Sequence, residues 1–75
     1  MRGIINKIPL KNNLTLGYGF IACGKETYFF HRSEFKGTWS IMCAKIKNGE
    51  KVEVIFDLEL HDGKQRAINV NEISN

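Results

Sequence analysis

Two short aromatic segments contain the side chains of this 75-residue chain that are best suited to bind flat, conjugated ligands. They are Gly17-Tyr18-Gly19-Phe20-Ile21 and Thr27-Tyr28-Phe29-Phe30-His31. Side chains alternate along a strand, so Tyr18 and Phe20 are predicted to share one face of the first segment. Phe29 and His31 are predicted to share a face of the second for the same reason. Rings presented together on a sheet stack on nucleobases, which is a binding chemistry without covalent steps.

Positive charge is concentrated in the same part of the chain as these aromatic segments. The formal net charge is only +3, but residues 1–49 contain eight basic and two acidic side chains, whereas residues 50–75 contain three basic and six acidic ones. Cations follow the phosphates of a nucleic acid while rings stack on its bases. The pattern therefore favours single-stranded RNA or DNA as the partner. Charge that merely solvates surface loops is the alternative explanation of the skew.

Other chemistries find little support in the sequence. Cys23 and Cys43 cannot form a disulfide framework, so reduced thiols and a cytoplasmic location are expected. Together with His31 and His61 they lack the compact spacing of zinc ligands, and we expect no metal or cofactor. The carboxylates of residues 53–59 are predicted to form a solvent face, and phosphate-loop and nucleophile-elbow patterns are absent. We therefore expect neither an enzyme nor a small-molecule substrate.

Alternation and turn residues divide the chain into five short strands within a single domain, residues 1–75. The predicted strands are residues 3–8, 16–23, 26–31, 51–60 and 65–73. Asp62-Gly63 is a strong hairpin signal, and Asn12-Asn13 also favours a turn. The long connection 32–49 has room for a short helical turn over 40–47. Five short strands in so few residues predict an all-β fold, a small closed or nearly closed antiparallel barrel.

The glycines of the first segment indicate which strand face is buried. Gly17 and Gly19 point away from Tyr18 and Phe20, and glycine within a strand marks strong bending or close backbone approach. A strand that curls around a small barrel needs room on its concave side, so we expect the glycines inside and the rings outside. The alternative is a core built from the rings. His31 argues against it, because a buried imidazole needs hydrogen-bond partners.

The start and hydropathy of the chain suggest no membrane association. No apolar run approaches the roughly 20 residues that a membrane helix requires. The first residues carry a positive charge but no continuous apolar stretch follows, so a signal peptide is not expected.

In order and over nearly the whole chain, the motifs resemble those of the cold-shock domain family. Residues 17–21 fit the family's first aromatic motif, residues 28–31 fit the second, and Ser33 follows as in the family. Ala67-Ile68-Asn69-Val70 fits the motif of its last strand. The resemblance implies a five-stranded barrel of the OB type that binds single-stranded nucleic acid with little sequence preference. It also implies activity as an RNA chaperone or as a regulator of transcription or translation.

The resemblance also implies which residues bind. The predicted nucleic-acid-binding residues are Lys7, Tyr18, Phe20, Phe29, His31, Arg32, Phe35 and Trp39. Those of the two aromatic motifs stack on bases, and Arg32 stacks or binds phosphate where relatives carry another ring. Either Phe35 or Trp39 supplies the further ring that relatives carry in the long connection.

Departures from the family pattern leave a second function open. The position of the family's strand 1 tryptophan is Lys7, which can contact phosphate instead, and the lysine before the first motif is Leu16. About four extra residues precede Gly17. We expect a monomer. The alternative function is that of a protein-interaction module of the OB type that has lost nucleic-acid binding. Its predicted apolar patch comprises Leu14, Leu16, Trp39, Ile41 and Met42.

Overall fold

A computed structural model describes residues 1–73 and contains one antiparallel sheet, one small hairpin and one helix. The elements are β1 (Arg2–Lys7), β2 (Leu10–Lys11), β3 (Leu14–Thr15), β4 (Tyr18–Cys23), β5 (Glu26–His31), α1 (Trp39–Lys47), β6 (Glu53–His61) and β7 (Lys64–Glu72). The five longer strands form the sheet in the order β5-β4-β1-β6-β7, and β2 pairs with β3 separately. A 3-10 turn over Arg32–Glu34 follows β5.

The five strands predicted from alternation are confirmed. Strand β5 occupies the predicted residues 26–31, and the predicted helical turn at 40–47 is a helix that begins one residue earlier, at Trp39. The β2–β3 hairpin is an addition that the sequence did not predict. Its Asn12-Asn13 turn has φ angles of 53° and 64°, the left-handed conformation that asparagine tolerates. Strands of two residues are too short to show alternation, so only the turn was visible.

One hydrophobic core lies between the concave face of the sheet and α1. Its buried members are Ile5, Ile21, Phe30, Phe35, Trp39, Met42, Val52, Val54, Phe56, Ala67 and Val70. The helix contributes Trp39 and Met42, which explains why a segment with weak periodicity forms a helix at all. Burial of these two side chains against the sheet stabilises the helix more than its own propensity does.

The sheet curls without closing into a hydrogen-bonded barrel. Its edge strands β5 and β7 lie side by side, yet within residues 1–73 no ladder joins them. A bridge between Phe35 and Val70 and a 2.8 Å hydrogen bond from the Lys36 N–H to the Val70 carbonyl are the links found there. One reason is Asn69, whose φ of 50° interrupts β7 and whose N–H donates to the Glu34 carboxylate at 3.1 Å. Of the two predicted forms, the closed barrel is therefore wrong.

Helix α1 is fixed at both ends. At its start, Trp39 Nε1 donates to Thr15 Oγ1 of the β2–β3 hairpin at 3.1 Å. Near its end, Lys45 Nζ donates to Glu72 Oε2 of β7 at 2.7 Å, and this hydrogen bond raises the pKa of Lys45. Within residues 1–73 no helix has the length and apolar character needed to cross a membrane.

Candidate functional site

The outer face of β4 and β5 carries three neighbouring aromatic rings. Gly19 and Ile21 of β4 are buried on the inner face, whereas Tyr18, Phe20 and Phe29 are half-buried on the outer one. The strand register pairs Phe20 with Phe29 across the two strands. The prediction that the rings lie outside is confirmed. We call Tyr18, Phe20 and Phe29 the aromatic platform.

Close backbone approach explains the glycine between the first two platform rings. A Cβ atom on Gly19 would lie 2.5 Å from Ile8 Cδ1 and 2.9 Å from Phe30 Cε1. No side chain fits in that space, so only glycine lets β4 curl tightly over the core. The curl turns the neighbouring rings Tyr18 and Phe20 outwards.

The platform rings contact one another. Ring centroids are 5.4 Å apart for Tyr18 and Phe29, 5.8 Å for Tyr18 and Phe20, and 6.1 Å for Phe20 and Phe29. The Tyr18 and Phe29 planes are tilted by 34°, while Phe20 meets both others edge-on. Such pairs stabilise each other beyond simple burial of apolar area. The rings therefore form a surface that is set before any ligand arrives.

His31 and Arg32 lie beside the Tyr18 end of the platform, and both are exposed. His31 is the register partner of Tyr18. Its Nδ1 accepts a hydrogen bond from the Ser33 N–H at 3.0 Å and lies 2.9 Å from Ser33 Oγ, which fixes the imidazole orientation. The Arg32 N–H donates to the Gly17 carbonyl at 2.8 Å, so the 3-10 turn is tied to the start of β4.

Lys7 reaches the platform because of an irregularity in β1. Ile5 pairs with Ile21 on the inner face, and the next pair is Lys7 with Phe20, so one extra residue is inserted between the two pairs. A β-bulge of this kind changes which side chain points to which face. The exposed Lys7 consequently flanks Phe20 on the platform side. Regular alternation would have placed Asn6 there instead.

A cleft of about 630 Å³ borders the platform on the side away from β1. Phe20, Phe29 and Thr27 form one wall, and the tip of the β6–β7 hairpin forms the other. The side chains from that tip are His61, Asp62, Lys64, Gln65 and Arg66. The sequence analysis assigned none of these five residues to binding. The predicted barrel could have revealed them, because curling a five-stranded sheet brings β7 beside β5.

The family model described as the 'Cold-shock' DNA-binding domain matches residues 1–73. The chain belongs to the cold-shock domain family. Nucleic-acid binding is the property of this family. No curated protein matches the chain. The family membership agrees with the five-stranded antiparallel sheet and with the ring-bearing outer face of β4 and β5.

Phe35 and Trp39 of this cold-shock domain lie in the core, away from the platform. Their exposed fractions are 8% and 7%. Their ring centroids are 6.1 Å apart, and Trp39 also packs 5.9 Å from Phe30. A ring this deeply buried has no free face for a base, which contradicts the prediction that one of the two supplies a further stacking ring. Helix formation in the long connection is the physical reason, because it turns Trp39 inwards.

Cations lie on both sides of the platform in this cold-shock domain. Lys7 is on the β1 side, and Lys64 and Arg66 are on the hairpin side. Residues 1–25, which include Lys7, contain no acidic side chain. The hairpin side is mixed, since Arg66 Nη2 lies 4.0 Å from the Glu59 carboxylate. Two of these cations, Lys64 and Arg66, therefore come from residues 50–75, the part of the chain in which acidic side chains outnumber basic ones.

The two thiols of this cold-shock domain are separate from the platform and are unpaired with each other. Burial raises the pKa of Cys43, although the nearby Arg32 charge lowers it in part. Cys23 Sγ lies 3.3 Å from the Arg2 carbonyl and donates to it. Within residues 1–73 no group of three or more His, Cys, Asp or Glu side chains is placed to hold a metal ion.

Proposed function

We propose that this cold-shock domain binds single-stranded RNA or DNA along the outer face of β4 and β5. The observation that carries the proposal is the aromatic platform, three half-exposed rings in mutual contact beside a lysine. Each base stacked on a ring is worth about 1–3 kcal/mol and requires no particular base identity. Binding therefore has a large component that does not depend on sequence.

Positively charged side chains complete the proposed mechanism. Lys7 on one side and Lys64 on the other contact phosphates and release the counterions condensed on them, and Arg66 adds positive charge beside Lys64. His31 and Arg32 extend the contact beyond Tyr18, where the imidazole or guanidinium stacks or binds phosphate. Phe35 and Trp39 stabilise the fold and take no part in binding.

The proposed biological role follows from the preference for unpaired bases. A base stacked on the platform is unavailable for pairing, so binding opposes duplex formation without a covalent step or a cofactor. We assign an RNA-chaperone or regulatory role in transcription or translation, exerted by a monomer in the cytoplasm. This role draws support from the family and from the exposed rings.

The decisive test removes one platform ring at a time. Phe20→Ala and Phe29→Ala are each expected to weaken binding of a short pyrimidine-rich strand about tenfold or more, since one stacking contact is lost. Affinity is measured by fluorescence anisotropy of the labelled strand, and circular dichroism verifies the fold. Ile55→Ala is the matched control, because Ile55 is an exposed apolar side chain outside the platform and the cleft.

Two results distinguish nucleic-acid binding from the alternative. Retained affinity in both phenylalanine variants would remove the stacking mechanism. Absence of any binding by the unaltered protein at low salt would favour a protein partner at the exposed Leu14, Leu16 and Ile41. That apolar patch is smaller than predicted, because Trp39 and Met42 are buried. The structure therefore gives the protein-partner alternative less support than the platform gives nucleic-acid binding.

A further inference from the structure

The cleft beside the platform contains an arginine with one buried donor that lacks a hydrogen-bond partner in the described part of the chain. Arg66 lines the cleft from β7. Its Nε atom is buried and has no hydrogen-bond partner within residues 1–73. The carboxylate of Glu59, its register partner on β6, is 4.0 Å from Nη2 and so beyond hydrogen-bond distance. A buried donor without a partner is energetically unfavourable. A ligand that offers an acceptor to the Arg66 side chain, and lets that side chain rearrange on binding, would remove this cost.

The two walls of the cleft have different chemistry. Phe20 and Phe29 offer ring faces, whereas the hairpin tip offers polar side chains, among them Arg66, Gln65 and Asp62. The volume of about 630 Å³ exceeds that of a single nucleotide. A base lying against the rings presents its edge to the polar wall. Hydrogen bonds to that edge depend on base identity, unlike stacking.

We propose that this cleft selects guanine, and that Arg66 is the residue that binds the edge of the base. The proposal rests on the proposed function, since it concerns one nucleotide of the same bound strand. Guanine O6 and N7 are adjacent acceptors, and they match the planar fork of a guanidinium. Adenine has an amino donor at the position of O6, and thymine has a single acceptor and a methyl group.

Asp62 also favours guanine over the other bases, through hydrogen bonds at a different edge of the base. Its carboxylate borders the cleft at the hairpin tip and only accepts hydrogen bonds when ionised. Guanine offers two adjacent donors there, the ring N1–H and the exocyclic amino group. Cytosine offers paired acceptors to an arginine but lacks these paired donors. Guanine is therefore the base that satisfies both side chains.

The test compares strands that differ in one base. Wild-type protein is titrated with a short labelled oligothymidylate and with versions in which one central thymine is replaced by guanine, adenine or cytosine. The guanine strand is expected to bind at least about fivefold tighter than the others, the lower end of what a bidentate base contact provides. Arg66→Lys keeps the positive charge but loses the planar fork, so the ratio of the guanine and thymine affinities should fall, while the share of the preference that Asp62 provides remains.

Lys64→Ala is the matched control from the same wall of the cleft. It removes a phosphate contact and should weaken both strands in proportion, which leaves the ratio unchanged. Asp62→Asn is a second variant at the φ of 50° that asparagine tolerates, and it should reduce the ratio because one acceptor becomes a donor.

The outcomes separate this inference from the proposed function. Equal binding of all strands by the wild-type protein leaves nucleic-acid binding in place and overturns guanine selection. A guanine preference that is undiminished in Arg66→Lys overturns the assignment to Arg66. If the wild-type protein binds no strand, the proposed function fails and guanine selection fails with it.

Discussion

Trp39 is the only tryptophan of the chain, and its position determines what its fluorescence reports. The indole is 7% exposed and donates to Thr15 within the fold. We predict that adding oligonucleotide changes its emission only slightly, whereas unfolding in urea shifts the emission to longer wavelengths. Both are measured in one cuvette by steady-state fluorescence. Strong quenching by the oligonucleotide at constant fold would show that the indole contacts bases and would contradict its burial.

The sequence predicted the orientation of a site residue correctly where that residue lies in a regular strand. In a strand the period is two, so a single argument from Gly19 placed Tyr18 and Phe20 on the outer face. Phe35 lies in an irregular connection, where no period distinguishes a buried ring from an exposed one. Its burial depends on the bridge to Val70, which comes much later in the chain.

Lys7 shows a second limit at this scale. The family pattern indicated its position, but its orientation depends on the bulge after Ile5. A bulge inserts one residue without a sequence signal of its own, and every side chain beyond it changes face.

Among the elements, β4 approaches the end of β1 and the following Ile8 so closely that no side chain fits at position 19. A Cβ atom at position 19 would approach Ile8 Cδ1 to 2.5 Å. We predict that Gly19→Ala lowers the free energy of unfolding by about 1–3 kcal/mol through overpacking. Ile8→Val removes the atom nearest to the new methyl group and alone costs about 0.5–1.5 kcal/mol. The double variant should lose less stability than the two single losses added together.

Urea denaturation followed by circular dichroism measures all three variants. The remaining contacts of the new Cβ, including the Lys7 carbonyl at 3.0 Å, prevent complete rescue. Strictly additive losses would mean that Ile8 is not what excludes a side chain at position 19.

The elements themselves followed closely from the sequence, with two exceptions. β6 was clear because apolar residues occupy every second position from Val52 to Leu60, and three of the four residues between them are acidic, before the Asp62-Gly63 turn. The β2–β3 hairpin was missed because each of its strands has two residues. The relation of the β6–β7 hairpin to the platform was missed for another reason: it depends on the curl of the whole sheet.

For the whole molecule, the distribution of charge matters more than its net value of +3. Four cations border the platform: Lys7, Arg32, Lys64 and Arg66. If Lys7, Arg32 and Lys64 each neutralise one phosphate, the logarithm of affinity should fall with the logarithm of salt concentration with a slope of about −2, at roughly 0.7 per phosphate for a single strand. Affinities measured by anisotropy over a salt series give this slope.

A matched pair of lysine variants assigns the slope to the platform. Lys7→Ala should reduce its magnitude by about 0.7, the share of one phosphate. Lys47→Ala removes the same charge from α1, outside the platform and the cleft, and should leave the slope as it was. An affinity that does not respond to salt would refute the phosphate contacts altogether.

Within the described part of the chain no ladder joins β5 to β7, and this bears on how a bound strand leaves the cleft. Thr27 and Phe29 lie on one wall of the cleft and Lys64 on the other, and the bridge between Phe35 and Val70 links the two sides elsewhere. Separation of the two walls at the hairpin tip would therefore break no row of backbone hydrogen bonds. We expect a strand that contacts both walls to hold them together and so to dissociate slowly.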